Sequence, residues 1–97
     1  MADNSVRVVA RIKAKPGSES ELRAIMSSML ETIRKEKGCI SFELLENRAD
    51  PTDFTFVEEW SSDETLEAHL EGMQSNLPKL MDLLAEPPDI RTYSMVG

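Results

Sequence analysis

Three residues near the middle of the chain have types and spacing suited to acid–base chemistry: Glu58, Trp60 and His69. They lie in Phe54–His69, FTFVEEWSSDETLEAH, where a strand carrying Glu58 and the only Trp breaks at Ser61-Ser62-Asp63 and enters a helix. The two-residue alternation of a strand puts Glu58 and Trp60 on one face. Helical spacing puts His69, the only His, on the same face as Leu66, Leu70 and Met73. One imidazole, one indole and one carboxylate then converge on an otherwise apolar cavity. His69 is the one side chain of its kind that titrates near neutrality, which makes this the first place to look for catalysis. Each residue also has a structural reading. A lone His on an apolar helix face is commonly a hydrogen-bonded core residue, a Trp at a strand end packs a small domain well, and Glu58 can pair with an Arg.

The elements that must position these groups follow from periodicity. Val6–Lys15 alternates, with Val6, Val8, Ala10 and Ile12 on one face and Arg7, Val9, Arg11 and Lys13 on the other, a strand buried on one side. Pro16-Gly17 ends it. Ser18 with Glu21 three residues on reads as a capping box. The helix behind it carries Leu22, Ile25, Met26, Met29, Leu30 and Ile33 as a continuous stripe, with Arg34, Lys35 and Lys37 toward its C-terminal end and Gly38 after it. A second strand spans Cys39 to about Asn47, with Ile40, Phe42 and Leu44 alternating against Ser41 and Glu43. A polar turn, NRADPTD, leads into a third strand, Phe54–Trp60. Ser62 or Asp63 caps a helix over about Glu64–Glu71, Gly72 interrupts it, a further helical stretch runs over about Ser75–Leu84, and Ile90–Val96 reads as a last strand.

The order β-α-β-β-α-β is the ferredoxin-like split β-α-β pattern of an α+β domain, a four-stranded antiparallel sheet with its helices on one face. Residues 1–97 read as one such domain. Val9, Leu45, Val57 and Met95 then fall on the opposite face, where a second copy packed sheet to sheet would cover them; on that face the basic residues of the first strand have Glu43 and Glu59 as partners. A chain of this size buries only roughly 65% of its unfolded surface, so a homodimer adds useful core.

Composition narrows the classes. A net charge of −7 argues against a sequence-independent grip on nucleic acid, which requires neutralised phosphates. No apolar run approaches the ~18 residues of a membrane span, and Met1–Lys15 lacks a secretory layout, so a cytoplasmic location is expected. The single Cys39 cannot form an internal disulfide and reads as a small buried hydrophobe. With one Cys and one His, a zinc site has little to draw on, and no metal is expected. Dinucleotide, P-loop and serine-hydrolase motifs are absent from the sequence.

Several short motifs together resemble a known family. The first strand is followed by KPG, the amphipathic helix ends in KGC, and then come SFELLEN, the pattern DP..F.FVEEW and the pattern L.AHL. This arrangement resembles the antibiotic biosynthesis monooxygenase superfamily, most closely its small quinol monooxygenase-like members, over nearly the whole chain. The resemblance implies a dimeric α+β barrel with a pocket in each protomer between helices and sheet. It also implies oxygenation of a small aromatic, a quinol or an anthrone, by O₂ with no metal and no flavin. Other branches degrade haem or isomerise a small phosphorylated metabolite. The haem-degrading branch has an Asn where this chain has Ala10, and its haem-ligating His lies later than His69. A phosphorylated substrate would need Arg11, Lys13 or Arg91 at the pocket. A non-catalytic ligand-binding or stress-response module is the remaining alternative.

A quinol reacts with oxygen once deprotonated, so the protein needs a base, a donor for the developing oxyanion and a dry cavity. His69 suits the base. Trp60 offers an apolar wall and an indole N–H, and Glu58 is placed to orient His69 or to hold a proton. Phe42, Phe54, Phe56, Met26 and Met73 are expected in the wall of the substrate pocket, and Tyr93 as a source of a phenol.

Overall fold

In the computed structural model, which describes residues 5–97, β1 (Val6–Lys13) buries Val8, Ala10 and Ile12 and turns Arg7, Val9, Arg11 and Lys13 to the other side. Such alternation leaves one sheet face for helices to cover. Helix α1 (Glu19–Arg34) covers part of it, burying Leu22, Met26 and Ile33. The expected capping box at its start is not formed. Ser18 has near-helical backbone angles and makes no side-chain cap, and the Glu19 carboxylate instead accepts from the Gly17 N–H at 2.9 Å. At the other end Arg34 Nε donates to the Phe42 carbonyl at 3.0 Å, tying α1 to β2 (Cys39–Glu46).

The remaining elements are β3 (Asp53–Trp60), α2 (Asp63–Met73), α3 (Leu77–Met81) and β4 (Asp89–Tyr93). The strand order is β2-β3-β1-β4 with every neighbouring pair antiparallel. This is the ferredoxin-like α+β arrangement that the element order implies. Register then fixes the faces. Val8 and Phe42 both pair with Glu58, Ala10 and Leu44 both pair with Phe56, and Ala10 also pairs with Ile90. Cross-strand partners share a face, so all of these point toward the helices.

Several boundaries differ from expectation. β2 carries an irregularity between Cys39 and Ser41, which leaves Ile40 as the extra residue and 55% exposed, while Phe42 and Leu44 keep the inward face. β1 stops at Lys13 because the next residues pair with the end of the α3 region: Ala14 bridges to Leu84, Lys15 N–H donates to Leu83 and Ala85 N–H to Lys13. That same pairing pulls Leu84 out of helix, and with Pro78 in the first turn it confines α3 to five residues. Helix α2 runs through Gly72 to Met73, and β4 ends at Tyr93. Ser62 is the α2 cap, in a capping box with Thr65.

The outer face of the sheet is a run of ion pairs: Arg7–Glu59 at 3.5 Å, Arg11–Asp53 at 3.2 Å and Lys13–Asp50 at 2.9 Å. Glu43 joins none of them, since β3 lies between its strand and β1. No helix among the described residues is long and apolar enough to cross a membrane.

Candidate active site

Trp60 is fully buried and holds two polar groups at once. Its Nε1–H donates to Glu58 Oε1 at 2.8 Å, which the two-residue spacing on one strand face makes possible. Its ring stacks on the imidazole of His69 with centroids 4.5 Å apart and planes 28° from parallel. Phe42 meets the same imidazole edge-on at 5.6 Å. An indole N–H spent on Glu58 is not available as a donor to a bound oxyanion.

Glu58 is 5% exposed. Burial pushes its carboxyl above the ordinary glutamate value; the indole hydrogen bond and His69 work against that, and Glu36 adds to it. One of its oxygens, Oε1, accepts from the Trp60 indole.

His69 is 4% exposed and reaches this position because the Ser62 cap starts α2 at the end of β3. Its Nδ1 lies 3.0 Å from Glu36 Oε1. Glu36 sits in the turn between α1 and β2. That turn approaches α2 closely at Gly38, whose φ of +85° suits glycine and where a Cβ would collide with the Thr65 side chain. Ser61 N–H also donates to the Gly38 carbonyl at 2.8 Å. The two contacts bring Glu36 alongside His69. The carboxylate that orients the imidazole is therefore Glu36, not Glu58. In the sequence Glu36 lies among Arg34, Lys35 and Lys37, with no periodic signal that points it at the site. Its one signal is that an acidic residue is unfavourable at a helix C-terminus.

Glu58 and His69 line a cavity of about 90 Å³ between the sheet and the helices. Its wall is otherwise apolar and includes Met26, Phe42, Phe56 and Met73. Met29, Leu84 and Ile90 also contribute, none of them anticipated as wall residues. Leu70, Leu77 and Ile90 are partly exposed and mark the mouth. Two expected wall residues lie elsewhere. Phe54 is on the inner face but pairs with Ile12 and Glu46 at the far end of β3, where its ring is buried in the core beneath the Arg23 guanidinium. Tyr93 pairs directly with Arg7, so it belongs to the outer face and is 48% exposed. Cys39 lies opposite Trp60; burial, then Glu36 and Glu58, push its thiol up, which leaves it a poor nucleophile. Among the described residues, no Arg or Lys lines the cavity, and no group of three or more acidic, Cys or His side chains is placed to hold a metal ion.

Comparison with known proteins places this geometry. The Synechocystis protein sll1783 is 32% identical over 96 residues, which is 97% of this chain and 65% of that protein. Rv0793 of Mycobacterium tuberculosis is 36% identical over 64 residues, 66% of this chain and 62% of its own length. The chain thus spans a little under two thirds of each of these relatives. The solved structure of Rv0793 superposes with a TM-score of 0.87 at 25% identity, covering 96% of both chains. A conserved protein from Methanosarcina mazei Go1 does so with 0.86 at 28% identity, covering 94% of this chain and 92% of that one. The sequence model of the antibiotic biosynthesis monooxygenase family matches residues 5–75, a span that includes Glu36, Glu58, Trp60 and His69. The chain belongs to the antibiotic biosynthesis monooxygenase family.

Proposed function

We propose that this protein is a cofactor-independent monooxygenase that oxidises a quinol-like aromatic with molecular oxygen, acting as a cytoplasmic homodimer. The observation that carries the reading is that Glu58 and His69 supply the polar end of an otherwise apolar cavity. A flat aromatic ring suits the apolar part, and a ring hydroxyl suits the polar end.

The steps balance without a further reactant. His69 takes the hydroxyl proton, and the electron-rich anion passes one electron to O₂. The semiquinone and superoxide combine at the ring carbon beside the oxygen. Glu58 gives its proton to the outer peroxide oxygen; as the O–O bond breaks, the departing hydroxide takes the proton held by His69 and leaves as water, while the ring C–H proton passes to the Glu58 carboxylate as the new carbonyl forms. Quinol plus O₂ gives hydroxyquinone plus water. General acid–base catalysis of this kind is worth roughly 10²–10⁴-fold.

Cavity size refines the substrate. A void that holds benzene is about 150 Å³, larger than the 90 Å³ present here. A single ring is accommodated by rotation of Met26, Met29 and Met73, whose unbranched side chains adapt readily. A three-ring anthrone requires much more. A phosphorylated substrate would meet no cationic side chain in the wall. The small volume is also the one observation that favours a plain binding module. The outer-face pattern supports the dimer, since Val9, Val57, Leu45 and Tyr93 interleave with its ion pairs. Lone Cys39 suits a reducing compartment.

The test is oxygen uptake with hydroquinones of one, two and three rings, using isotopically labelled O₂. One labelled atom in the product and one in water, with the rate falling as rings are added, is the expected result. Uptake no faster than in buffer for every ring size would leave the binding module as the better reading.

A further inference from the structure

A second, open groove of about 360 Å³ lies between the C-terminal parts of α1 and α2. Ser28, Thr32, Glu36 and Asn76 line it, and Met29 and Met73 separate it from the cavity by lining both. The Glu36 side chain is 35% exposed there while its Oε1 meets His69 Nδ1. The imidazole thus meets the Glu36 carboxylate at Nδ1 while its ring lines the apolar cavity.

We infer that Glu36 is a positioning residue that fixes His69 in the Nδ1–H tautomer, leaving Nε2 as the bare base for the substrate hydroxyl. A carboxylate accepts hydrogen bonds and donates none, so the hydrogen shared in the 3.0 Å contact belongs to Nδ1. The same carboxylate balances the imidazolium formed when Nε2 takes a proton. The stack on Trp60 and the edge contact from Phe42 hold the ring plane, so Glu36 decides which nitrogen faces which way. The charged and titratable groups around the ring are Glu36 from the α1–β2 turn and Glu58 from β3. This assignment rests on the monooxygenase reading only for its consequence in catalysis; the tautomer itself is measurable without substrate.

Because His69 is the only His, its two ring nitrogens give one unambiguous set of ¹⁵N–¹H long-range correlations. Recorded well above the ordinary imidazole value of about 6.5, the native protein is expected to show Nδ1 protonated and Nε2 bare. Glu36→Ala shifts the pattern toward Nε2–H. Glu36→Gln keeps the volume but can donate as well as accept, and gives a mixture. If the native ring carries its hydrogen on Nε2, or if both variants keep a pure Nδ1–H pattern, the assignment is overturned. With a quinol that the native protein oxidises, Glu36→Ala loses about tenfold or more in kcat with KM little changed. Acetate, which the open groove admits, restores part of it. Loss without any rescue, on an unchanged tautomer, points to a merely structural Glu36 and also overturns the assignment. A clear Nδ1–H signature with no oxygen uptake for any quinol removes the monooxygenase reading and leaves the tautomer assignment standing.

Discussion

Glu58 and Glu59 are neighbours on β3 with the same side chain, and the pleat sends them to opposite fates. Glu58 points to the helices, where burial pushes its carboxyl up and an indole N–H is its partner. Glu59 points outward and pairs with Arg7 at 3.5 Å. The same division holds across the sheet. On the outer face, Asp53 is held below the usual carboxylate range chiefly by the Asn47 amide and then by Arg11, and Asp50 by Lys13 and Thr52. On the inner face a carboxyl leans toward its neutral form. Chemistry thus follows from which face a residue occupies, more than from its type. One face favours ionised carboxylates, and the other favours a neutral carboxyl.

The largest expected effect comes from removing what the inner face is built around. Trp60→Ala takes the N–H from Glu58 and the stacking ring from His69, and it opens a cavity in the core. A loss of about 3–5 kcal/mol is expected, read from urea denaturation. A loss under 1 kcal/mol would mean the indole is not the central packing element. Next is Gly38→Ala. Adopting the left-handed conformation costs about 1–2 kcal/mol, and the new methyl collides with Thr65. The turn that carries Glu36 then moves, so the variant is expected to lose the Glu36–His69 hydrogen bond in the ¹⁵N–¹H spectrum as well as stability.

Glu58→Gln sharpens the comparison through its sign. A carboxyl whose folded value is raised binds protons more readily folded than unfolded, so its ionisation at neutral pH works against the fold. The amide removes that cost and can still accept from Trp60. A gain of about 1 kcal/mol, a few degrees in Tm, is expected at pH 7. It fades as pH falls toward the unfolded glutamate value of about 4.3. For Asp53 the sign is reversed. Its lowered value contributes stability that is present above the unfolded aspartate value of about 3.9 and is lost as pH falls below it. Glu58→Gln that destabilises at pH 7 would show that the ionised carboxylate is native there. The smallest effect is Glu59→Gln. Its partner Arg7 is more than a third exposed, so the loss is expected to stay near 0.5 kcal/mol and to shrink with salt.

Much of this division is legible in the sequence, because strand alternation is strict. Val8, Ala10 and Ile12 against Arg7, Arg11 and Lys13 fixes the faces of β1, and the apolar stripe of α1 fixes its buried side. The i, i+2 spacing puts Glu58 beside Trp60, and the helical spacing puts His69 among Leu66, Leu70 and Met73. What is not legible depends on tertiary approach. Glu36 is far from His69 in sequence and meets it only because Gly38 lets α2 come close. Ile40 is displaced by a local irregularity that alternation cannot register. Tyr93 shares its strand parity with Met95, so assigning Met95 to the outer face already assigns Tyr93 there, and the Arg7 register agrees. The shortness of α3 follows from the pairing of Ala14 with Leu84, a contact without a periodic signal.

The most direct single measurement is steady-state oxygen uptake with a one-ring hydroquinone by the native protein, His69→Ala and Glu59→Gln side by side. If the inner face carries the chemistry, His69→Ala falls by about 100-fold or more, while Glu59→Gln, one residue from Glu58 and on the outer face, keeps the native rate. Equal rates for the native protein and His69→Ala would contradict the assignment of this cavity as the site of catalysis.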